Sequence, residues 1–349
     1  MLLTMKKQTL ITMLLCLGMA VSTVAQQANG TYAFLKATNS ARVAALGGLP
    51  LAVLDGDIQT SLFNPGTISS EMNNKIGLSY VDYYADINFG TAQYARSFDK
   101  IGDFAATVQF HNYGKFQETT EGSVNVGSFS CSDYSVNLGW GRRLTPHWSV
   151  GAAIKYAGLQ YEAYSAGALA VDVAGNYRSD AGWIFSLTAR NIGIQLFNHF
   201  DNRDVRLPFA LDLGVSKRLD HLPLTVMFWY DDIQRWKKVY DDPLNLDSNI
   251  DPFTGEVQQE KPLARFGKNV LCHVVVGGEF HLGKNLKLRA AYNYGQRYAM
   301  DVPDERTLVG FSAGFGVKIK MFELSYARAR QSINNAPNYF SLTLDLNKF

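Results

Sequence analysis

Few side chains in this chain stand where chemistry needs them. Cys272 and His273 are adjacent, a soft thiol beside an imidazole. In an alternating segment neighbours point to opposite faces, so the two cannot close on one metal ion. The six histidines are scattered, with no His-Glu-x-x-His run among them. Asp241, Asp242, Asp247 and Asp251 form an acidic stretch, but the spacing lacks the Gly and closing Glu of a calcium-binding hand, and they read as solvated loop acids. Gly139-Trp140-Gly141 and Gly314-Phe315-Gly316 lie in alternating sequence with no helix after them, so they do not read as phosphate cradles. No Gly-x-Ser-x-Gly elbow is expected. Lys155, Asp172, Asp212, Glu279, Arg289 and Glu323 share a different trait: each falls on the small or polar parity of its segment. Glu279 and Arg289 are nearly opposite each other across a turn at 283–285, which suits pairing inside a wetted bore rather than catalysis. The expectation is therefore no enzyme, no metal and no cofactor.

Composition narrows the classes further. Of 349 residues, 47% are hydrophobic, 13% aromatic and 18% charged, where a soluble domain carries about 25% charge. That excludes disorder and low-complexity fibres. Met1 to Gln27 reads as a secretory address: Lys6 and Lys7, then an apolar run from Leu10 to Val21, then Ala25 at the expected cut. The run is too short to span a bilayer as a helix, which takes about 20 residues. Leu15 before Cys16 argues against lipid attachment. Without Lys6 and Lys7, 31 basic side chains face 31 acidic ones, so capture of nucleic acid is not expected. Cys131 and Cys272 remain, too few for a disulfide framework, and read as free thiols.

What positions the remaining chemistry is a train of strands. Tyr134, Val136, Leu138 and Trp140 share one parity while Ser135, Asn137, Gly139 and Gly141 take the other. Trp148 to Tyr156, Leu224 to Tyr230, Leu286 to Tyr294 and Phe322 to Tyr326 repeat the pattern. Period-two alternation marks a strand with a different solvent on each side. About 14 such segments are present, near the length that crosses a bilayer at a tilt. Links such as 99–103, 144–147 and 283–285 are short; those at 114–133, 162–167, 192–208 and 233–269 are longer. This asymmetry predicts an all-β fold: a transmembrane antiparallel up-and-down β-barrel of about 14 strands over 76–349, apolar parity outward. Trp148, Trp183, Tyr156 and Tyr294 are expected at interface girdles. A soluble propeller or lipocalin-type barrel is the competing architecture. Phe349 has the opposite parity to Phe340, Leu342 and Leu344, which a bulge near Asn347-Lys348 would repair.

Residues 26–75 do not alternate. Ser40 to Leu46 reads as a short helix with a serine cap, ended by Gly47-Gly48, and Phe63-Asn64-Pro65-Gly66 as a turn. This segment is expected to plug the bore, with Ser40, Arg42, Gly47, Gly48, Asn64 and Pro65 as its motif residues. Thr38 to Gly48, Asp55, Asp57 and Leu62-Phe63-Asn64-Pro65 resemble the opening of the PorV and PorQ barrels of the type IX secretion system. That group is similar in architecture to long-chain fatty-acid transporters, with 14 strands and an N-terminal hatch. The resemblance implies a non-enzymatic outer-membrane barrel. It further implies partners: outer-membrane lipid and a PorZ-like surface protein, in an attachment complex with PorU- and PorV-like proteins that joins secreted cargo to lipopolysaccharide.

The longest loop runs Gln234-Arg235-Trp236-Lys237-Lys238-Val239-Tyr240, then an acidic stretch, then Asp251-Pro252-Phe253. Loops beyond about 12–15 residues tend to carry function, and Trp, Tyr and Arg anchor protein interfaces. Phe197, Phe200, Arg203, Arg235, Trp236, Tyr240 and Phe253 are thus the expected docking residues. The alternative is a channel for hydrophobic small molecules, which needs an apolar pocket beneath the loops and a gap or kink in the wall.

Overall fold

The computed structural model describes residues 31–348 apart from 50, 120, 123–124, 201–206, 240–261 and 301–306. The expected secretory address and the acidic loop stretch lie outside them. Fourteen strands follow in order: β1 (Lys75–Tyr84), β2 (Ile87–Phe98), β3 (Gly102–Thr119), β4 (Asn125–Arg143), β5 (Trp148–Tyr161), β6 (Tyr164–Arg178), β7 (Trp183–Asn198), β8 (Ala210–Arg218), β9 (Leu224–Tyr230), β10 (Val274–Leu282), β11 (Leu286–Asn293), β12 (Phe311–Ile319), β13 (Phe322–Ala329) and β14 (Asn338–Asp345). Each pairs antiparallel with its sequence neighbours, and β14 closes on β1 with Leu78 opposite Leu342. Closure leaves no strand edge open around the ring, the condition for a sheet to stand in hydrocarbon. No helix among the described residues is long and apolar enough to cross a membrane, which says nothing of strands.

Side-chain parity behaves as the alternation requires. On β4, Val136 and Leu138 are each half exposed while Ser135 and Asn137 are buried. Leu213, Val226, Phe228, Leu288 and Leu324 also face outward. Lys155, Asp172, Asp212, Glu279 and Arg289 face the bore, all nearly inaccessible. A closed sheet with an apolar exterior and a polar interior is the membrane-spanning solution. Trp148 and Trp183 sit exposed at strand starts, in girdle position.

Five expectations need correction, one being the link over 192–208, of which 192–198 is strand in β7. The link expected over 114–133 is mostly strand, because β3 and β4 run on as a ribbon with Phe116 stacked on Phe129. The link over 162–167 contracts to a two-residue turn, and Ala85-Asp86 makes another with both φ angles positive, the geometry that matches strand twist. Tyr294 leaves β11 for a short helix, Tyr294–Ala299, capped by the Asn293 side chain accepting from Gln296 N. Finally, β14 ends at Asp345 in a 3-10 turn, Leu346–Lys348, instead of a bulge, and Phe349 lies outside the described residues.

Candidate functional site

The bore is filled by residues 31–49 and 51–74, held at three places. The first is helix α1 (Ala41–Ala45). Ser40 Oγ accepts from Val43 N, satisfying one of the helix's orphan donors. At the other end Gly48 N donates to Val43 O and Gly47 N to Ala44 O, with both glycines at positive φ. This closing motif needs residues without a Cβ; at Gly47 a Cβ would stand 2.4 Å from Val275. Arg42 leaves the helix towards the wall and is almost fully buried. Its guanidinium donates to Asp55 at 2.6 and 3.0 Å, to Asp57 at 2.8 Å and to Glu279 on β10 at 3.1 Å. Glu279 also accepts from Arg289 Nε at 2.6 Å, and the two are direct register partners. One carboxylate thus ties plug to wall. Burial alone would raise the Asp55 carboxyl; the Arg42 charge overrides it and holds it well below the usual range.

The second anchor is the turn Asn64-Pro65-Gly66. Asn64 Oδ1 accepts from Gly66 N, and its amide nitrogen lies 2.6–2.9 Å from Leu51 O, Asn176 Oδ1 and Ser186 Oγ. Pro65 opens a 3-10 turn that rests on the inner wall. A Cβ at Gly151 on β5 would fall 2.3 Å from Pro65 O, and one at Gly141 on β4 would fall 2.4 Å from Ile68 O. The strand glycines are therefore the seat of the plug, letting two backbones touch. Sequence reading found the turn and the glycines separately; nothing in their spacing joins them.

The third anchor is the stretch Tyr32–Lys36. Phe34 and Leu35 pack on an apolar patch of the inner wall made by Ala157, Leu159, Ala166, Ala168 and Ala170. Lys36 Nζ reaches Asp232 at 2.6 Å, just beyond β9. Burial would raise the Asp232 carboxyl, but Lys36 and then Lys238 pull it down to about 2.

Beside this patch the wall itself is irregular. Val173 on β6 faces Ala189 on β7, yet Val171 faces Ile192, so Arg190 and Asn191 together oppose Asp172. This bulge sends both into the bore, where both are buried. Asn191 has φ 58°, and its N–H donates to Asp172 Oδ1 at 2.7 Å. Arg190 pairs with Asp212 at 2.7 Å and Lys155 with Asp172 at 2.5 Å. Below the bulge the odd residues Trp183, Phe185 and Leu187 face out; above it Ile192, Ile194 and Leu196 do. β8 pairs with β7 only as far as Arg190, so among the described residues no strand covers the other edge of 192–198.

The four expected docking residues among the described ones lie at two places on the rim. Phe197 lies on the outer face of β7, with its ring over Gly167, and Phe200 packs on Tyr161 and Tyr164. Trp236 stands over the β9–β10 rim, exposed, between His273 and Phe266 of helix α2 (Pro262–Leu271); Arg235 beside it is half-buried. Arg203, Tyr240 and Phe253 lie outside the described residues. Cys131 and Cys272 are free thiols. Among the described residues no group of three His, Cys, Asp or Glu side chains is placed to hold a metal. Against expectation, Gly310-Phe311-Ser312-Ala313-Gly314 does match the Gly-x-Ser-x-Gly pattern. Ser312 instead lies in β12 and donates to Ala45 O at 3.2 Å, so it holds α1.

Two solved structures match this architecture over nearly their whole length. The toluene transporter TbuX of Ralstonia pickettii aligns with TM-score 0.52 at 10% identity, covering 89% of this chain and 97% of that one. The deltaS2S3 mutant of the TodX monoaromatic hydrocarbon channel aligns with TM-score 0.51 at 13% identity, covering 87% and 97%. The likeness is one of fold. No protein-family model matches the sequence. No curated protein matches it either.

Proposed function

We propose that this chain is an outer-membrane barrel that passes small hydrophobic molecules through the β7 side of its wall. The carrying observation is the bulge at Arg190-Asn191, where β7 turns from two-sided to one-sided pairing directly below the apolar inner patch, whose Ala166, Ala168 and Ala170 lie alongside 193–198. A hydrophobic solute needs both parts: an apolar resting place under the loops and a break in the wall. Here the resting place is filled by Phe34 and Leu35, so passage requires that segment to move aside. The barrel's closure, its apolar exterior and its likeness in fold to two hydrocarbon channels support the placement in the outer membrane. The chain acts without catalysis in this reading. The test is toluene uptake by cells lacking the protein, complemented with wild type, with Asn191 deleted, or with Phe34→Ala. Deleting Asn191 removes the bulge opposite Asp172 and should abolish uptake, while Phe34→Ala should raise it; heat-modifiable migration on gels verifies folding. Uptake unaffected by the deletion would refute the reading.

A second reading is a scaffold that anchors a surface protein, the role implied by the resemblance to type IX secretion barrels. Its support is the rim, where Trp236, Phe266 and Leu263 expose apolar surface beyond the strands, and a plug fixed through Arg42. Affinity purification from outer membranes separates the two readings. A stoichiometric surface partner, lost on deleting 241–265, supports the scaffold; recovery of the barrel alone refutes it.

A further inference from the structure

The apolar inner patch has a polar neighbour that neither reading uses. Strand register lines up one level of the inner wall. Phe89 on β2 stands opposite His111 on β3, His111 opposite Asp133 on β4, Asp133 opposite Leu159 on β5, and Leu159 opposite Ala166 on β6. All five are buried. The patch under Phe34 and Leu35 thus runs directly into a carboxylate and an imidazole. Tyr113 donates to Asp133 Oδ2 at 2.5 Å. Asp133 Oδ1 and both ring nitrogens of His111 are buried without a hydrogen-bond partner. Other wall carboxylates are neutralised from the next strand: Asp172 by Lys155, Asp212 by Arg190 and Glu279 by Arg289. Asp133 pairs with no lysine or arginine among the described residues. Rings surround it instead: His111 stacks on Phe89 at 4.1 Å and meets the Phe34 ring edge-on at 5.3 Å, and Tyr113 meets Tyr161 edge-on at 6.2 Å.

We propose that Asp133 and His111 bind the head of a small hydrophobic amine whose apolar body rests on the alanine patch, an assignment that rests on the channel reading and narrows its substrate class. Buried charges are paired in proteins, and this carboxylate has its cation still to come. Aromatic faces around it favour an organic ammonium group. A metal ion fits worse: it takes about three or four protein ligands, and no third His, Cys, Asp or Glu joins these two among the described residues. The body must be small. Asp133 and Ala166 are two strand spacings apart, about 10 Å, which accommodates one ring and a short arm. A fatty-acid anion would set its own carboxylate against Asp133. A plain hydrocarbon would leave Asp133 and His111 dry and unpaired. Phe34 must withdraw from His111 to admit the amine, which is the movement that passage already requires.

The test uses the full mature chain carrying Phe34→Ala, which uncovers the patch, in lipid nanodiscs. Equilibrium dialysis against empty nanodiscs measures binding of radiolabelled benzylamine, benzyl alcohol and benzoate, which share one ring and differ in the head. Benzylamine should bind about ten- to hundredfold more tightly than the other two. Adding Asp133→Asn should cancel the difference, with heat-modifiable migration verifying the fold. Equal binding of benzylamine and benzyl alcohol overturns the proposal, as does an amine preference that survives Asp133→Asn. Toluene uptake keeps the two conclusions apart. Uptake lost on deleting Asn191, with no amine preference in dialysis, refutes amine selection and leaves the channel. Uptake indifferent to that deletion, with the amine preference present, refutes the channel and leaves the binding site.

Discussion

Replacing Arg42 by Met would show whether the plug is locked or merely lodged. The side chain is almost fully buried and donates to three carboxylates, of which Asp55 is 38% exposed, Asp57 12% and Glu279 2%. Removing one partner of a buried ion pair usually costs about 3–5 kcal/mol, because the other charge is left unpaired. Here the loss is smaller. Glu279 keeps Arg289 at 2.6 Å, and Asp55 can turn to water. The orphan is chiefly Asp57, which leaves about 2–3 kcal/mol, or about a 30- to 140-fold rise in the detached plug at about 1.4 kcal/mol per tenfold. The barrel ladder is untouched, and α1 keeps Ala41 N to Ser341 Oγ at 2.8 Å and Trp229 Nε1 to Leu46 O at 3.1 Å. The variant should therefore assemble normally. Native-state amide exchange at Val43 to Leu46 should accelerate by that factor, and brief conductance openings in planar bilayers should become more frequent. Adding Asp57→Asn to Arg42→Met should recover part of the loss. Unchanged exchange in Arg42→Met would refute the lock and leave packing and the hydrogen bonds to Ser341, Trp229 and Ser312 to hold α1.

Other perturbations test neighbouring parts of the same reasoning. Gly151→Ala forces a methyl against the Pro65 backbone, which cannot give, and should loosen Asn64 to Ile68 by about 1–3 kcal/mol in amide exchange; Gly175→Ala, with nothing within 4 Å, should be neutral. Val136→Arg on the lipid face should cost about 2–4 kcal/mol in reversible folding into vesicles if the belt lies in hydrocarbon. Acid should free the Tyr32–Lys36 segment first. Asp232 is depressed from 3.8 to about 2, so its pairing with Lys36 is fully present above pH 3.8 and lost as pH falls through about 2. The partly exposed lysine reduces this contribution to about 1–2 kcal/mol. Exchange at Phe34 and Leu35 should rise over that window, and Asp232→Asn should remove the dependence.

Parity carried most of the architecture because the barrel separates its solvents so sharply: Ser135, Asn137 and Lys155 could be assigned to the bore, and Val136 and Leu138 to lipid, from alternation alone. The same logic explains where reading stopped. Alternation breaks at Asn191 because a bulge changes the outward parity from odd to even, so β7 looks finished where it continues to Asn198. The ribbon of β3 and β4 beyond the belt has solvent on both faces, which removes the period and makes strand look like loop. The contact that matters most for the plug, backbone on backbone at Gly141 and Gly151, has no side chain to announce it.

These irregularities gather on one side of the molecule, which bears on the choice between the two functional readings. Lys155, Asp172, Arg190 and Asp212 stabilise a bulge that a purely structural wall would not need, since a bulge gives up ladder pairing. Each charge is buried and paired, and replacing such groups with well-packed apolar residues is often neutral or stabilising. Keeping them beside an apolar patch, next to a strand edge that β8 does not cover, is costly for a scaffold and useful for a wall that must part. The patch is covered by Phe34 and Leu35, whose charged tether among the described residues is Lys36 to Asp232. Passage then depends on a weakly tethered segment, while Arg42 keeps the rest of the plug in place. The two ends of the plug should accordingly separate in experiment: Lys36→Ala should raise toluene uptake without accelerating exchange at α1, and Arg42→Met should do the reverse. If both variants move both readouts together, the plug leaves as one body, and the proposed path past β7 loses its support.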